Sequence, residues 1–202
     1  MKILIVGGGG TIGRKVSQYF SKEHEVIIAG RNSGDVQVDI ADASSIEAMF
    51  AALGMIDALI CTAGEAKWAA FESMSEDDIY IGLRSKLMGQ VNLVRIGQPY
   101  LNPGGSFTLS TGILADHPVL FTTSPAMVNG AIHSFVKAAA IEMVNGMRIN
   151  VVSSGLVEDS VEHYQEYFPG HNPIPMKKMV NGYVRSVLGK GNGEIIRIYD
   201  HG

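Results

Sequence analysis

Residues 3–13, ILIVGGGGTIG, constrain what this chain can fold into more than any other stretch. An apolar run, Ile3–Val6, meets Gly7, Gly8, Gly9 and Gly10, and Thr11, Ile12 and Gly13 then open an amphipathic pattern reaching residue 22. Gly7, Gly10 and Gly13 have the spacing GxxGxxG. Such glycines permit a tight turn and let the backbone approach a pyrophosphate. The helix that follows offers free N–H groups and the positive end of its dipole. Glycine clusters also make ordinary turns, but here the strand before and the helix after supply the context that dinucleotide binding requires.

The rest of the chain repeats the alternation. Short apolar runs at 26–29, 36–38, 58–61, 106–109, 149–152 and 195–198 read as further strands, continuous enough to be buried on both faces. Helical patterns fall at 44–53, 76–100, 125–144 and 176–188, with Pro99 ending the second of these. Strands alternating with helices predict one α/β domain over 1–202, Rossmann-type and doubly wound, with a parallel sheet between two helix layers. Residues 156–175 break the pattern. They hold Tyr164, Tyr167, Phe168 and prolines at 169, 173 and 175, and predict a long loop with at most one helical turn.

Composition excludes several classes. Net charge is −4 and no basic run occurs, so nucleic acid is not expected as a partner. No segment approaches the ~20 apolar residues of a membrane span. Met1–Val6 is too short for a signal peptide and reads as a strand, so the cytoplasm is the expected compartment. The single cysteine, Cys61, excludes an internal disulfide and a cysteine-based metal site, and the histidines lack ligand spacing; no metal is expected.

The second strand ends IIAGRN. An acidic residue there would bind the ribose hydroxyls of NAD, but Gly30 fills that position, followed by Arg31 and Asn32. Arg31 can pair with a 2′-phosphate, which favours NADP over NAD. Arg14 reads as a surface residue. Asp39 and Ile40 close the third strand, where the Asp can meet the adenine amino group or simply serve a turn.

ALICTAGE at 58–65 is similar to the Asn-Asn-Ala-Gly strand end of the short-chain dehydrogenase/reductase family, with Cys61 and Thr62 in place of the asparagines and Ala63 and Gly64 retained. Arg148, Asn150 and Gly155 match a later segment of that family, with Ser154 where Pro is usual, and GNGEIIRIYDHG resembles its last strand. The resemblance covers nearly the whole chain. It implies a seven-stranded parallel sheet, a nicotinamide cofactor across the C-terminal strand ends, and a homo-oligomer (dimer or tetramer) associating through the helices at 76–100 and 125–144. It also implies a catalytic Tyr, a Lys four residues later, a Ser and an Asn. Laid onto this chain, the Tyr position is Pro125, the Lys position Asn129, the Asn position Lys86, and the Ser position Ser110 or Thr111.

Pro cannot exchange a proton, and general acid–base catalysis needs a titratable group within reach of the reacting oxygen. Lys86 can act as a proton donor or bind an acidic ligand. Asn129 can hydrogen-bond a ribose but carries no charge. His133 shares a helix face with Asn129 and sits one turn beyond it. His117 lies in the loop after the fifth strand. Tyr164 and Tyr167 fall in the segment that covers the substrate in the family. The expected function is therefore an NADP(H)-binding oxidoreductase with a non-standard proton donor, acting on an unknown small molecule. The alternative is a catalytically silent NADP(H)-binding sensor. An enzyme needs an open cavity at the nicotinamide end; a sensor can have it filled by Lys86, Ile113 and the 156–175 segment.

Overall fold

The computed structural model describes residues 1–200. Seven strands form one parallel sheet: β1 (Lys2–Val6), β2 (Glu25–Gly30), β3 (Val36–Gln37), β4 (Ile56–Cys61), β5 (Leu101–Gly112), β6 (Arg148–Ser154) and β7 (Ile195–Ile198). Their order is β3-β2-β1-β4-β5-β6-β7, and every pairing is parallel. The order reverses between β1 and β4. In an open α/β sheet the strand ends at such a switch leave a crevice for a ligand.

Alternate strand residues serve opposite faces. Leu4, Val6, Leu59, Phe107 and Leu109 pack with Ile46 and Phe50 of α2 (Ala43–Leu53), Leu93 of α4 (Gly89–Gly97) and Ile132 of α5 (Thr123–Glu142). Ile3, Ile5, Ala58 and Ile60 pack on the other face with Val16 and Phe20 of α1 (Thr11–Phe20) and Tyr183 of α7 (Met176–Leu188). A sheet covered on both sides explains why the strands read as unbroken apolar runs.

The expected 76–100 helix is three pieces. It runs as α3 (Glu76–Ile81), a π-helical segment (Gly82–Met88) and α4, and a single 3-10 turn carries Pro99 into β5. Ser75 and Asp78 form a reciprocal capping box that starts α3. Gly82 lies against Ser124 and Ala66, and Gly89 against Ile40, so the segment can approach the neighbouring elements at both ends. The third strand is shorter than expected and stops at Gln37, leaving Asp39 and Ile40 in the turn beyond it. Residues 156–175 contain two 3-10 turns around the short helix α6 (Val161–Tyr164), pinned at the base by a bridge between Val157 and Ile174. Among the described residues no helix is long and apolar enough to cross a membrane.

Candidate functional site

The glycine loop joins β1 to α1 at the switch point. Gly7 has φ +82° and a Cβ there would stand 2.9 Å from Ala63 N, so only glycine fits. A Cβ on Gly13 would stand 2.2 Å from the Gly7 carbonyl oxygen, which is how α1 comes to start so close to the strand end. Thr62 Oγ1 donates to the Gly7 carbonyl at 3.0 Å and ties the loop to β4. Gly8 is buried against Ile28 and Ser17. Gly10 caps α1 and has no side chain to spend on the first-turn N–H groups. An uncapped helix start facing a glycine cradle fits a pyrophosphate.

A cavity of ≈ 300 Å³ lies over this cradle, lined among others by Gly7, Gly9, Gly10, Arg31, Asn32, Ile40, Ala63 and Gly64. Gly8, Gly13 and Thr62 shape it from behind rather than line it. Thr11 is exposed at the start of α1, and Asp39 is half-exposed and turned to local work: its Oδ1 accepts from Ala41 N, and its other oxygen lies 3.7 Å from Arg31 Nε. Arg31 also reaches Glu65 at 3.2 Å. A Cβ on Gly30 would stand 2.6 Å from the Ser33 carbonyl oxygen, so no acidic side chain can take that position without moving the 31–34 turn. Ser33, Glu65 and Ser85 also line this cavity, and sequence reasoning missed them. Glu65 directly follows the Thr62-Ala63-Gly64 strand end, which was the available signal.

A second cavity, ≈ 460 Å³, shares Gly64 and Glu65 with the first. Its walls include Ile12, Lys86, Thr111, Pro125 and Asn129, with Trp68, Leu114, Tyr164 and Phe168 supplying apolar cover. The structure thus brings Lys86, Thr111, Pro125 and Asn129 together. It does not bring in Ser110. Strand alternation turns Ser110 to the α7 face, where its hydroxyl donates to the Cys61 carbonyl and pairs with Tyr183 OH at 2.8 Å. Of the two candidate hydroxyls, Thr111 therefore faces the cavity, and its Oγ1 lies 2.8 Å from His133 Nε2.

Lys86 rides on the π-helical segment, a geometry common where a helix is bent to serve a site. No carboxylate among the described residues lies within ion-pair distance of it, and burial pushes its pKa down. Asn129 is 3% exposed and its Oδ1 has no hydrogen-bond partner among the described residues. Ser124 Oγ is likewise buried without a partner among the described residues; Thr122 precedes α5 but spends its hydroxyl on Val119. An unsatisfied buried acceptor costs ~1–3 kcal/mol; Asn129 lines the cavity, while its Oδ1 itself is sealed from solvent.

The remaining candidates fall elsewhere. His117 packs edge-on to His171 and Tyr199, away from the cavity lining. Tyr164 lines the cavity, while Tyr167 stands behind it, edge-on to Trp68 at 5.5 Å. Cys61 is fully buried and its thiol is pushed up to about 11, which makes it inert. Arg14 is exposed.

Sheet order, switch-point glycine cradle and a two-part crevice define a Rossmann-type dinucleotide-binding protein. A family model described as Enoyl-(Acyl carrier protein) reductase matches residues 15–180. The protein lin1944 from Listeria innocua is 42% identical, with a TM-score of 0.97 over 98% of this chain and all (100%) of that one. A small-chain dehydrogenase in complex with NADPH is 26% identical, with a TM-score of 0.87 over 98% of this chain and 96% of that one. Comparison with curated proteins gives no match. The chain belongs to the short-chain dehydrogenase/reductase family.

Proposed function

We propose that this protein binds NADP(H) along the two-part crevice and works as an oxidoreductase on a small, largely apolar carbonyl, quinone or activated alkene. The observation that carries the reading is the second cavity. It opens directly from the cradle and is lined by Lys86, which has no ion-pair partner among the described residues, by the Thr111 hydroxyl and by the Asn129 side-chain amide. Lys86, Ile113 and the 156–175 segment border this space but leave it open, which favours an enzyme over a sensor. The NADPH complex of a 26% identical relative supports the choice of cofactor.

The loop after β1 and the start of α1 hold the pyrophosphate by backbone N–H groups. Arg31, with Asn32 and Ser33 beside it, receives the 2′-phosphate. Asn129 offers its side-chain amide to a ribose hydroxyl. When bound, the nicotinamide supplies a hydride; the protein's part is to place the substrate carbon and manage charge on the substrate oxygen. Lys86 stabilises that oxygen as negative charge develops, in a cavity walled by Trp68, Leu114 and Phe168 where electrostatic attraction is strong. Pro125 shapes the wall and transfers nothing.

Titration of the nucleotide-free protein with NADPH and NADH, followed by nicotinamide fluorescence, tests the reading. Arg31→Ala is expected to weaken NADPH by about tenfold or more, the worth of a charge-assisted hydrogen bond, and to leave NADH unchanged. Equal weakening of both would assign Arg31 to its ion pairs with Glu65 and Asp39. Absence of saturable binding would overturn the proposal.

A further inference from the structure

Hydride addition to a carbonyl carbon leaves a negatively charged oxygen that needs a proton, and the cavity wall at Pro125 has none to give. Next to it the structure offers a path. Thr111 stands at the cavity-facing end of β5, and its hydroxyl bonds His133 Nε2 across 2.8 Å. His133 is 6% exposed, held in α5 one turn after Asn129. Its Nδ1 has no partner among the described residues, yet it is not among the side-chain atoms sealed from solvent without one. The ring therefore faces the cavity hydroxyl with one nitrogen and reaches toward water with the other. A hydroxyl donates and accepts at the same time, and an imidazole can release a proton from one nitrogen and regain it at the other.

We propose that Thr111 and His133 form a proton relay between bulk water and the substrate oxygen in the cavity. The inference rests on the NADP(H) reading above. As hydride reaches the substrate carbon, the carbonyl π pair moves onto oxygen. That oxygen takes the Thr111 proton, Thr111 Oγ1 takes the Nε2 proton of His133, and water restores a proton at Nδ1. The product is an alcohol and the ring is left with its proton on Nδ1. Once product and oxidised nucleotide have left, water entering the cavity returns a proton through Thr111 to Nε2 as Nδ1 releases one, and both residues regain their starting state. Alcohol oxidation runs the same path outward.

The surroundings set the charge of the ring. Burial lowers its affinity for a proton; Asp116, in the turn after β5, works against this, while Arg197 of β7 and Lys137 of α5 work with it. Asp116 is held in place by Arg197 at 2.8 and 3.1 Å and by Tyr199 OH at 2.8 Å, and Tyr199 in turn bonds Ser153 at 2.6 Å.

The test uses the full chain as wild type, His133→Gln, Thr111→Val and Thr111→Ser. First, the imidazole resonances are followed by NMR from about pH 5 to 8 without nucleotide, with His133 assigned by its loss in His133→Gln. Thr111→Val is expected to move the His133 resonance and its titration and leave the other histidines in place; an unmoved His133 would overturn the relay. Second, NADPH binding and reduction of a panel of ketones and quinones are measured on the same proteins. NADPH binding is expected to survive in His133→Gln. Ketone turnover is expected to fall on the order of a hundredfold in both His133→Gln and Thr111→Val, to persist in Thr111→Ser, and to lose in His133→Gln the pH dependence that follows the ring. NADPH binding with an unchanged pH profile in His133→Gln would overturn the relay alone. So would binding with no turnover by the wild type, which would leave a silent binding protein. No NADPH binding by the wild type would overturn the relay and the nucleotide reading together.

Discussion

Lys86 and Asn129 exchange residue types relative to what the family resemblance implies: the amide stands where a lysine is expected and the lysine where an amide is expected. One ammonium and one amide still face the cavity. The ammonium now sits on the π-helical segment, without a carboxylate in ion-pair range among the described residues, in surroundings that disfavour its charge. A buried charge without a counter-ion costs stability, so function and stability oppose each other here. Lys86→Met is expected to raise the unfolding free energy by about 1 kcal/mol while lowering turnover, read by thermal melts and NADPH oxidation. The pH dependence carries a sign. Because the folded pKa lies below the unfolded one, the wild type is penalised while Lys86 is charged. It gains stability as pH rises from the folded toward the unfolded pKa, and Lys86→Met lacks that gain. The identity of Lys86 as a cavity residue was legible in the sequence because it aligns with a family position. Its lack of a partner was not, because that depends on which side chains of β4 and α5 come near.

At the scale of elements, the Arg148-Ile149-Asn150 stretch that helped mark the family turns out to fasten α7 to the sheet. Arg148 donates to the carbonyls of Ser186, Val187 and Gly191, the open end of α7 and the turn beyond it. A cation at a helix C-terminus also meets the negative end of its dipole. Asn150 completes the tie by donating to Gly191 O and accepting from Glu194 N. Arg148→Ala is expected to cost about 2–3 kcal/mol in denaturant unfolding, the worth of charged hydrogen bonds whose acceptors are left behind, with little effect on NADPH affinity at the far strand ends. Periodicity located every main strand and helix, yet it joined 76–100 into one helix. A π-helical turn changes the hydrogen-bond step without changing which residues are apolar, so only docking of Gly82 on Ser124 and of Gly89 on Ile40 reveals it.

Across the whole molecule, the turn after β5 and the last strand are clamped by Asp116. Arg197 beside it, and then Tyr199, hold its carboxyl down at about 2. A depressed folded pKa stabilises fully above the ordinary carboxylate pKa and is lost as pH falls from there toward the folded value. The pair is partly exposed, so it contributes about 1 kcal/mol. Asp116→Asn is expected to lower the melting temperature at neutral pH and to remove the corresponding loss between about pH 4 and 2, a comparison made by thermal melts across that range. Local chemistry along the chain was enough to determine the class of fold and the cofactor cradle. Glycines demanded by positive φ or close approach, and apolar runs demanded by two-sided burial, are properties a sequence carries by itself. Which hydroxyl faces the cavity, which histidine stands behind it and what surrounds the lysine in its wall were decided only by tertiary structure. Thr111 and His133 are 22 residues apart and meet because α5 packs on the face of β5 opposite to Ser110. That choice of face follows from the register of a strand buried on both sides, where neighbouring hydroxyls are equally plausible until the sheet is covered.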